Sequence, residues 1–137
     1  MIKDFDTLMI TSGPCPPSYL HPRVTAAQQP PIATLPRPWP GTRGAVLCHA
    51  CVPPAEFGGT WPPGVPLQIH AMDDDPLFVS GGDLEAAREI VDATSGAEMY
   101  LYPGERHLFA DSSLPAYERA SAELLTRRVH AFVAEVA

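Results

Sequence analysis

Two stretches decide how this chain is read: VPLQIHAMDDDPLFVSGG, residues 65–82, and EMYLYPGERHLFADSS, residues 98–113. Each opens as a short apolar run and closes in a polar turn. VPLQIHAM (65–72) and EMYLYP (98–103) have the length and composition of buried strands. DDDPLFVSGG (73–82) reads as a turn, and Asp83 is placed to cap a helix over LEAAREIVDATS, closed by Gly96. Leu84, Ala87, Ile90 and Val91 make the apolar stripe of that helix. Upstream, GAVLCHAC (44–51) is a third apolar run, followed by the Pro- and Gly-rich loop VPPAEFGGTWPPGVP (52–66). Downstream, LPAYERASAELLTRRVHAFVAEV (114–136) reads as a long amphipathic helix, with Tyr117, Leu124, Leu125, Phe132 and Val136 near one face. Apolar strands alternating with helices predict an α/β fold with a parallel sheet. Three strands and two main helices make only a partial sheet. Residues 44–51 are therefore expected to form an open edge that recruits a second copy of the chain.

Composition narrows the class. The chain has 137 residues, 9 Lys+Arg and 16 Asp+Glu, for a formal net charge of −7. That length fits one domain with a modest core. The acidic balance argues against binding a nucleic-acid backbone or an anionic membrane. No apolar run reaches the length of roughly 18 residues that a membrane span needs. Asp4 and Asp6 fall where a secretory signal would be apolar. Three cysteines are too few to build a disulfide scaffold. The expected location is the cytoplasm.

The first forty residues differ from the rest. They hold 9 of the 17 prolines, and no acid occurs between Asp6 and Glu56. Each proline removes a donor and biases its predecessor out of the helical region. Residues 1–43 are therefore read as a Pro-rich irregular segment, either a linker or an out-of-frame stretch. Residues 44–137 are read as the folded part.

In an open parallel sheet, chemistry collects at the carboxyl ends of the strands. Three polar clusters lie there: Cys48, His49 and Cys51; His70 with Asp73, Asp74 and Asp75; and Glu105, Arg106 and His107. The Cys48-x-x-Cys51 pair invites a zinc or redox reading, but with no second pair the signal is weak, and structural cysteines are expected. His70 is expected to be a half-buried strand-end residue. Glu98 and Arg106 are expected to be surface charges. Trp61 fits either a pocket wall or a cover over the core. An acid after one strand and a histidine after the next, in that order, is the spacing of an α/β-hydrolase charge pair. The carboxylate there would hold the imidazole tautomer and stabilise the imidazolium formed during catalysis.

The stretches GAVLCHACVP, VPLQIHAMDDDPLFV, AEMYLYPGERHLFAD and AYERASAELLTRRVHAF resemble the C-terminal half of the dienelactone hydrolase family. The resemblance covers about two thirds of the chain, from about Gly44 onward. The family's acid sits in a turn reading roughly H-x-G-x-x-D-P, matched best here by Asp75-Pro76, with Asp74 as the register alternative. Its histidine sits in Y-P-G-x-x-H-x-F, matched by Tyr102, Pro103, Gly104, His107 and Phe109. The resemblance implies an α/β-hydrolase fold. It also implies hydrolysis of a small-molecule lactone or carboxylic ester through a nucleophile–Asp75–His107 triad, without metal or organic cofactor. One part of the pattern is missing, because no G-x-C/S-x-G pentapeptide occurs in the chain. The nearest imitation, GPCPP around Cys15, places Pro16 where the oxyanion hole needs a backbone N–H. Activity of this chain is accordingly expected at or near background. The alternatives are a non-catalytic remnant or binding module and, behind it, a small Cys/His metal or redox protein.

Overall fold

The structure is a computed structural model. It describes residues 7–11 and 42–136, apart from 52, 54 and 56–59. Seven elements follow in order: β1 (Thr7–Thr11), β2 (Thr42–Cys48), β3 (Leu67–Met72), α1 (Pro76–Ser80), α2 (Asp83–Ala93), β4 (Ala97–Tyr102) and α3 (Arg119–Val136). They build one sheet in the order β1-β2-β3-β4. Strands β2, β3 and β4 are parallel, as the alternation of strands and helices predicts. The fold is mixed α/β, with a small parallel sheet and three helices.

Both faces of the sheet are covered: β2 is apolar on both sides of the pleat, and β3 is buried on both, with Gln68 and His70 beside Met72 on its second face. One face carries Ala45, Leu47, Leu67, Ile69 and Ala71, packed with Phe78 of α1 and Leu84, Ala86, Ala87 and Ile90 of α2. The other carries Val46, Cys48, Met72 and Tyr102, packed with Leu125, Val129, Phe132 and Val136 of α3. Strand β3 is buried along its whole length. Trp61 belongs to the first face and donates its indole N–H to the Val65 carbonyl at 2.8 Å, so it covers the core.

Several boundaries differ from expectation. Residues 1–43 are not irregular throughout: β1 lies within them and pairs antiparallel with β2, Thr7 opposite Leu47. TLMIT contains no proline and is rich in β-branched residues, so nothing prevents a strand there. Strand β2 starts at Thr42, two residues before the expected boundary. The proline-rich stretch around Cys15 lies outside the described residues. Because β1 covers β2, residues 44–51 are not an open edge. The end strands of the described sheet are β1 and β4. The turn at 73–82 contains α1, with Asp75 as N-cap and Pro76 in the first turn, which is a short helix start. The cap of α2 is Gly82 rather than Asp83. Asp83 instead accepts the Cys51 N–H at 3.0 Å, tying the loop after β2 to the helix. Helix α2 ends at Ala93 with Thr94 extended, and Gly96 leads into β4. Helix α3 starts at Arg119, five residues later than the pattern suggests. The Glu118 carboxylate accepts the N–H groups of Ala120 and Ser121 there, at 3.1 and 2.8 Å. Those are orphan donors of a first turn, and a side chain that satisfies them fixes the start.

Gly44 lets α3 approach the sheet. A Cβ at this position would lie 2.8 Å from Phe132 Cζ. Gly44→Val should therefore destabilise the protein by about 1–3 kcal/mol, despite valine's strand preference, because the buried ring must move. Urea denaturation measures this, and shortening the ring in a Gly44→Val/Phe132→Leu double variant should recover part of the loss.

Candidate active site

The site is made by two turns that leave the same end of β3 and β4. The parallel register, Leu67 opposite Ala97 through Met72 opposite Tyr102, brings the two strand ends level. Beyond them the turns are laced together. Asp73 N–H donates to the Tyr102 carbonyl and Asp74 N–H to the Gly104 carbonyl, each at 2.9 Å. Gly104 N–H donates to Asp73 Oδ1 at 2.9 Å. Gly104 has φ 138°, and a Cβ there would meet Met72 Sδ at 2.8 Å. Only glycine fits that combination of backbone and close approach. Arg106 N–H then points at Met72 Sδ at 3.3 Å.

This lacing carries His107 to Asp75. The Nδ1–Oδ2 distance is 2.7 Å, short enough for a charge-assisted hydrogen bond. A carboxylate can only accept, so Nδ1 carries the proton and Nε2 keeps its lone pair. Asp75 is fully buried, while the His107 side chain is 32% exposed. The other oxygen of Asp75 accepts the Leu77 N–H at 3.0 Å, capping α1. One carboxylate thus caps a helix and fixes an imidazole. The expected cap of Asp75 and its contact with His107 are both present. Asp74 is exposed, and its backbone serves the lacing. After His107 the chain turns through Leu108 at φ 60°, a left-handed conformation uncommon for a residue with a Cβ. Glu118 N–H to the Phe109 carbonyl, 2.9 Å, fastens the far end of this loop. Arg106 Nη1 donates to the Tyr117 carbonyl at 3.0 Å, and Glu105 is exposed.

The cluster after β2 also reaches the site. His49 stands edge-on to His107, with ring centroids 5.9 Å apart, and to Phe109 at 5.0 Å. Its pKa is lowered to about 4, first by burial, then by His107, with Asp75 and Asp111 opposing. Cys51, two residues on, is buried. The Cys51 thiol is pushed up to about 12 by burial and then by the Asp83 charge, so its thiolate is disfavoured. Among the described residues, no group of three or more His, Cys, Asp and Glu side chains could hold a metal ion. His107 Nε2 has no hydrogen-bond partner among the described residues.

His70 lies on the α3 face of β3, joined to His49 through the rings of Tyr102 and Phe109. Its burial is complete rather than half, and the cause is a polar network that the sequence does not announce. Gln68 Oε1 accepts from Nε2 at 3.2 Å, so Nδ1 accepts the Tyr102 hydroxyl at 2.9 Å. Tyr100 stacks on the ring, and the Arg128 guanidinium lies 4.2 Å from the Tyr100 centroid. The His70 pKa is lowered to about 3, by burial first and then by Arg128 and His49. Glu98 is exposed, as expected of a surface charge, and accepts the Tyr100 hydroxyl at 2.7 Å. Sequence reading placed His49 among the strand-end residues without a role, and it missed the Gly104 lacing. The Pro-Gly pair before the histidine was the available signal for the lacing.

The chain matches no family model and no curated protein. No helix among the described residues is long and apolar enough to cross a membrane.

Two outcomes follow from this geometry. Asp75→Ala should cost about 1–3 kcal/mol, because it removes a helix cap and leaves the imidazole without its acceptor. Asp75→Asn keeps a capping oxygen and should cost less than Asp75→Ala in thermal denaturation. The second outcome concerns acid. In the folded chain His49 and His70 stay neutral down to about pH 4 and 3, whereas their ordinary pKa is 6.5. The unfolded chain therefore binds more protons across that window, and stability falls as pH falls from 6.5. Near pH 5 the two residues together should give a slope of roughly 2–3 kcal/mol per pH unit, read from urea midpoints at several pH values.

Proposed function

We propose that this chain is a hydrolase of the dienelactone hydrolase type, built on the α/β-hydrolase architecture and directed at a small carboxylic ester or lactone. One observation carries the reading: the 2.7 Å bond between Asp75 and His107, on turns leaving the same end of adjacent parallel strands. That is the acid–histidine half of a nucleophile–acid–histidine triad, in the chain order of this fold. Asp75 fixes the Nδ1–H tautomer and balances the imidazolium that forms. His107 Nε2 takes the proton of the attacking group. With water as that group, its oxygen bonds to the carbonyl carbon while the proton passes to Nε2. The ester C–O bond then breaks, and the leaving oxygen takes the proton back from His107.

The competing reading is a binding module that retains the pair without its nucleophile. It is favoured by the sequence, which lacks a G-x-C/S-x-G elbow. Turnover of p-nitrophenyl acetate separates the two. The unaltered chain should hydrolyse it slowly, within about a hundredfold of His107→Ala, because general-base help without a nucleophile elbow replaces only part of a triad. Asp75→Asn should lower that excess. Equal rates for the unaltered chain and His107→Ala would sink the hydrolase reading and leave the binding module.

A further inference from the structure

One imidazole at this site takes no part in the Asp75–His107 bond. His49 follows β2 with φ 68°, a left-handed conformation for a residue with a Cβ. Its backbone N–H donates to the His70 carbonyl at 2.8 Å, so the main chain is fixed. The residue is 5% exposed, and its ring is held edge-on by Phe109 and His107. Among the described residues no hydrogen bond holds the ring itself. Its Nδ1 is a buried side-chain polar atom without a partner, the one such atom among the described residues. A phenylalanine would fill the same aromatic niche without that desolvation cost. A strained backbone and an unsatisfied polar ring coincide at one residue, directly beside a reactive pair. That coincidence marks a group kept for a ligand rather than for packing.

The protonation of the ring follows from its surroundings. Burial and the neighbouring His107 keep His49 neutral, and a neutral imidazole has one N–H and one lone pair. Nδ1 is enclosed, whereas Nε2 is not among the buried unpartnered atoms. The N–H gains most at the nitrogen a partner can reach, which places it on Nε2. His49 is thus an uncharged donor next to His107. The charges around it are negative: Asp75 and Asp111 both act on His49, and Asp73 and Asp74 precede Asp75 on the same turn. Arg106, the residue before His107, is turned to the Tyr117 carbonyl. A carboxylate ligand would meet like charge here, and an uncharged carbonyl would not.

We propose that His49 is a ligand-binding residue of this site, donating from Nε2 to the carbonyl oxygen of an uncharged ester or lactone. The proposal rests on the hydrolase reading of Asp75 and His107. Negative charge grows on that oxygen during attack, so the bond strengthens in the transition state and does part of an oxyanion hole's work. His49 keeps its proton throughout.

The test uses the full chain labelled with 15N-histidine, titrated with δ-valerolactone and, as a charged contrast, with sodium propionate. The His49 and His107 ring nitrogens should shift with the lactone and not with propionate. His49→Phe should weaken lactone binding at least tenfold. A His49 signal unmoved by the lactone, equal binding of propionate, or unaltered affinity in His49→Phe would each overturn the proposal. The shift at His49 in the unaltered chain decides the matter even if His49→Phe does not fold. Turnover of p-nitrophenyl acetate by the same samples separates the two levels. His107-dependent turnover with unaltered lactone affinity in His49→Phe overturns the role of His49 alone. Turnover equal to that of His107→Ala overturns the hydrolase reading beneath it.

Discussion

The pairing of β3 with β4 fixes everything that lies beyond their ends. Six residues of each strand are in register, so the turns that follow start level with one another. Three hydrogen bonds then join the turns, two of them through Gly104. A slip of one residue in this register would reverse every side chain of β4 relative to the core. It would also carry His107 away from Asp75. The buried strand β3 resists such a slip, because Leu67, Ile69 and Ala71 are packed against α2 on one face and His70 is hydrogen-bonded to Gln68 and Tyr102 on the other.

Two sets of polar groups are buried near the sheet end, and they are treated differently. Under α3, His70 is satisfied at both nitrogens by Gln68 and Tyr102. That network is a closed structural unit, and Arg128 lies over its aromatic rings. Beside the sheet end, Asp75 is satisfied twice, once by a helix N–H and once by His107. The imidazoles of His107 and His49 are left with unused valences. Unused hydrogen-bonding capacity is costly in a core and useful at a site. The contrast between His70 and His49, two neutral histidines at the ends of neighbouring strands, separates structural from ligand-directed burial within one small domain.

The order of β2, β3, α2, β4 and α3 was legible from residue patterns alone, whereas β1 and α1 were not. Short apolar runs bounded by Gly and Pro marked β2, β3 and β4, and their alternation with helical periodicity required parallel pairing. The acid–histidine spacing was legible for the same reason, since strand ends in a parallel sheet share an edge. Local side-chain chemistry shifted the boundaries. Asp83 serves the Cys51 N–H instead of capping its helix, and Glu118 starts α3 late by accepting two backbone donors. Both choices depend on which backbone groups are near in space.

Sequence by itself determined that an acid and a histidine would meet at one end of a parallel sheet, because periodicity fixes strands and topology fixes their direction. It left Asp74 and Asp75 as alternatives, since three consecutive acids carry no internal register. Only the tertiary structure chose Asp75, by spending the Asp73 carboxylate and the Asp74 backbone on the Gly104 turn. It also brought β1 onto β2 and turned His49 toward His107, contacts between residues far apart in the chain. Such contacts are set by packing and by which polar groups remain unpaired, and no local pattern encodes them.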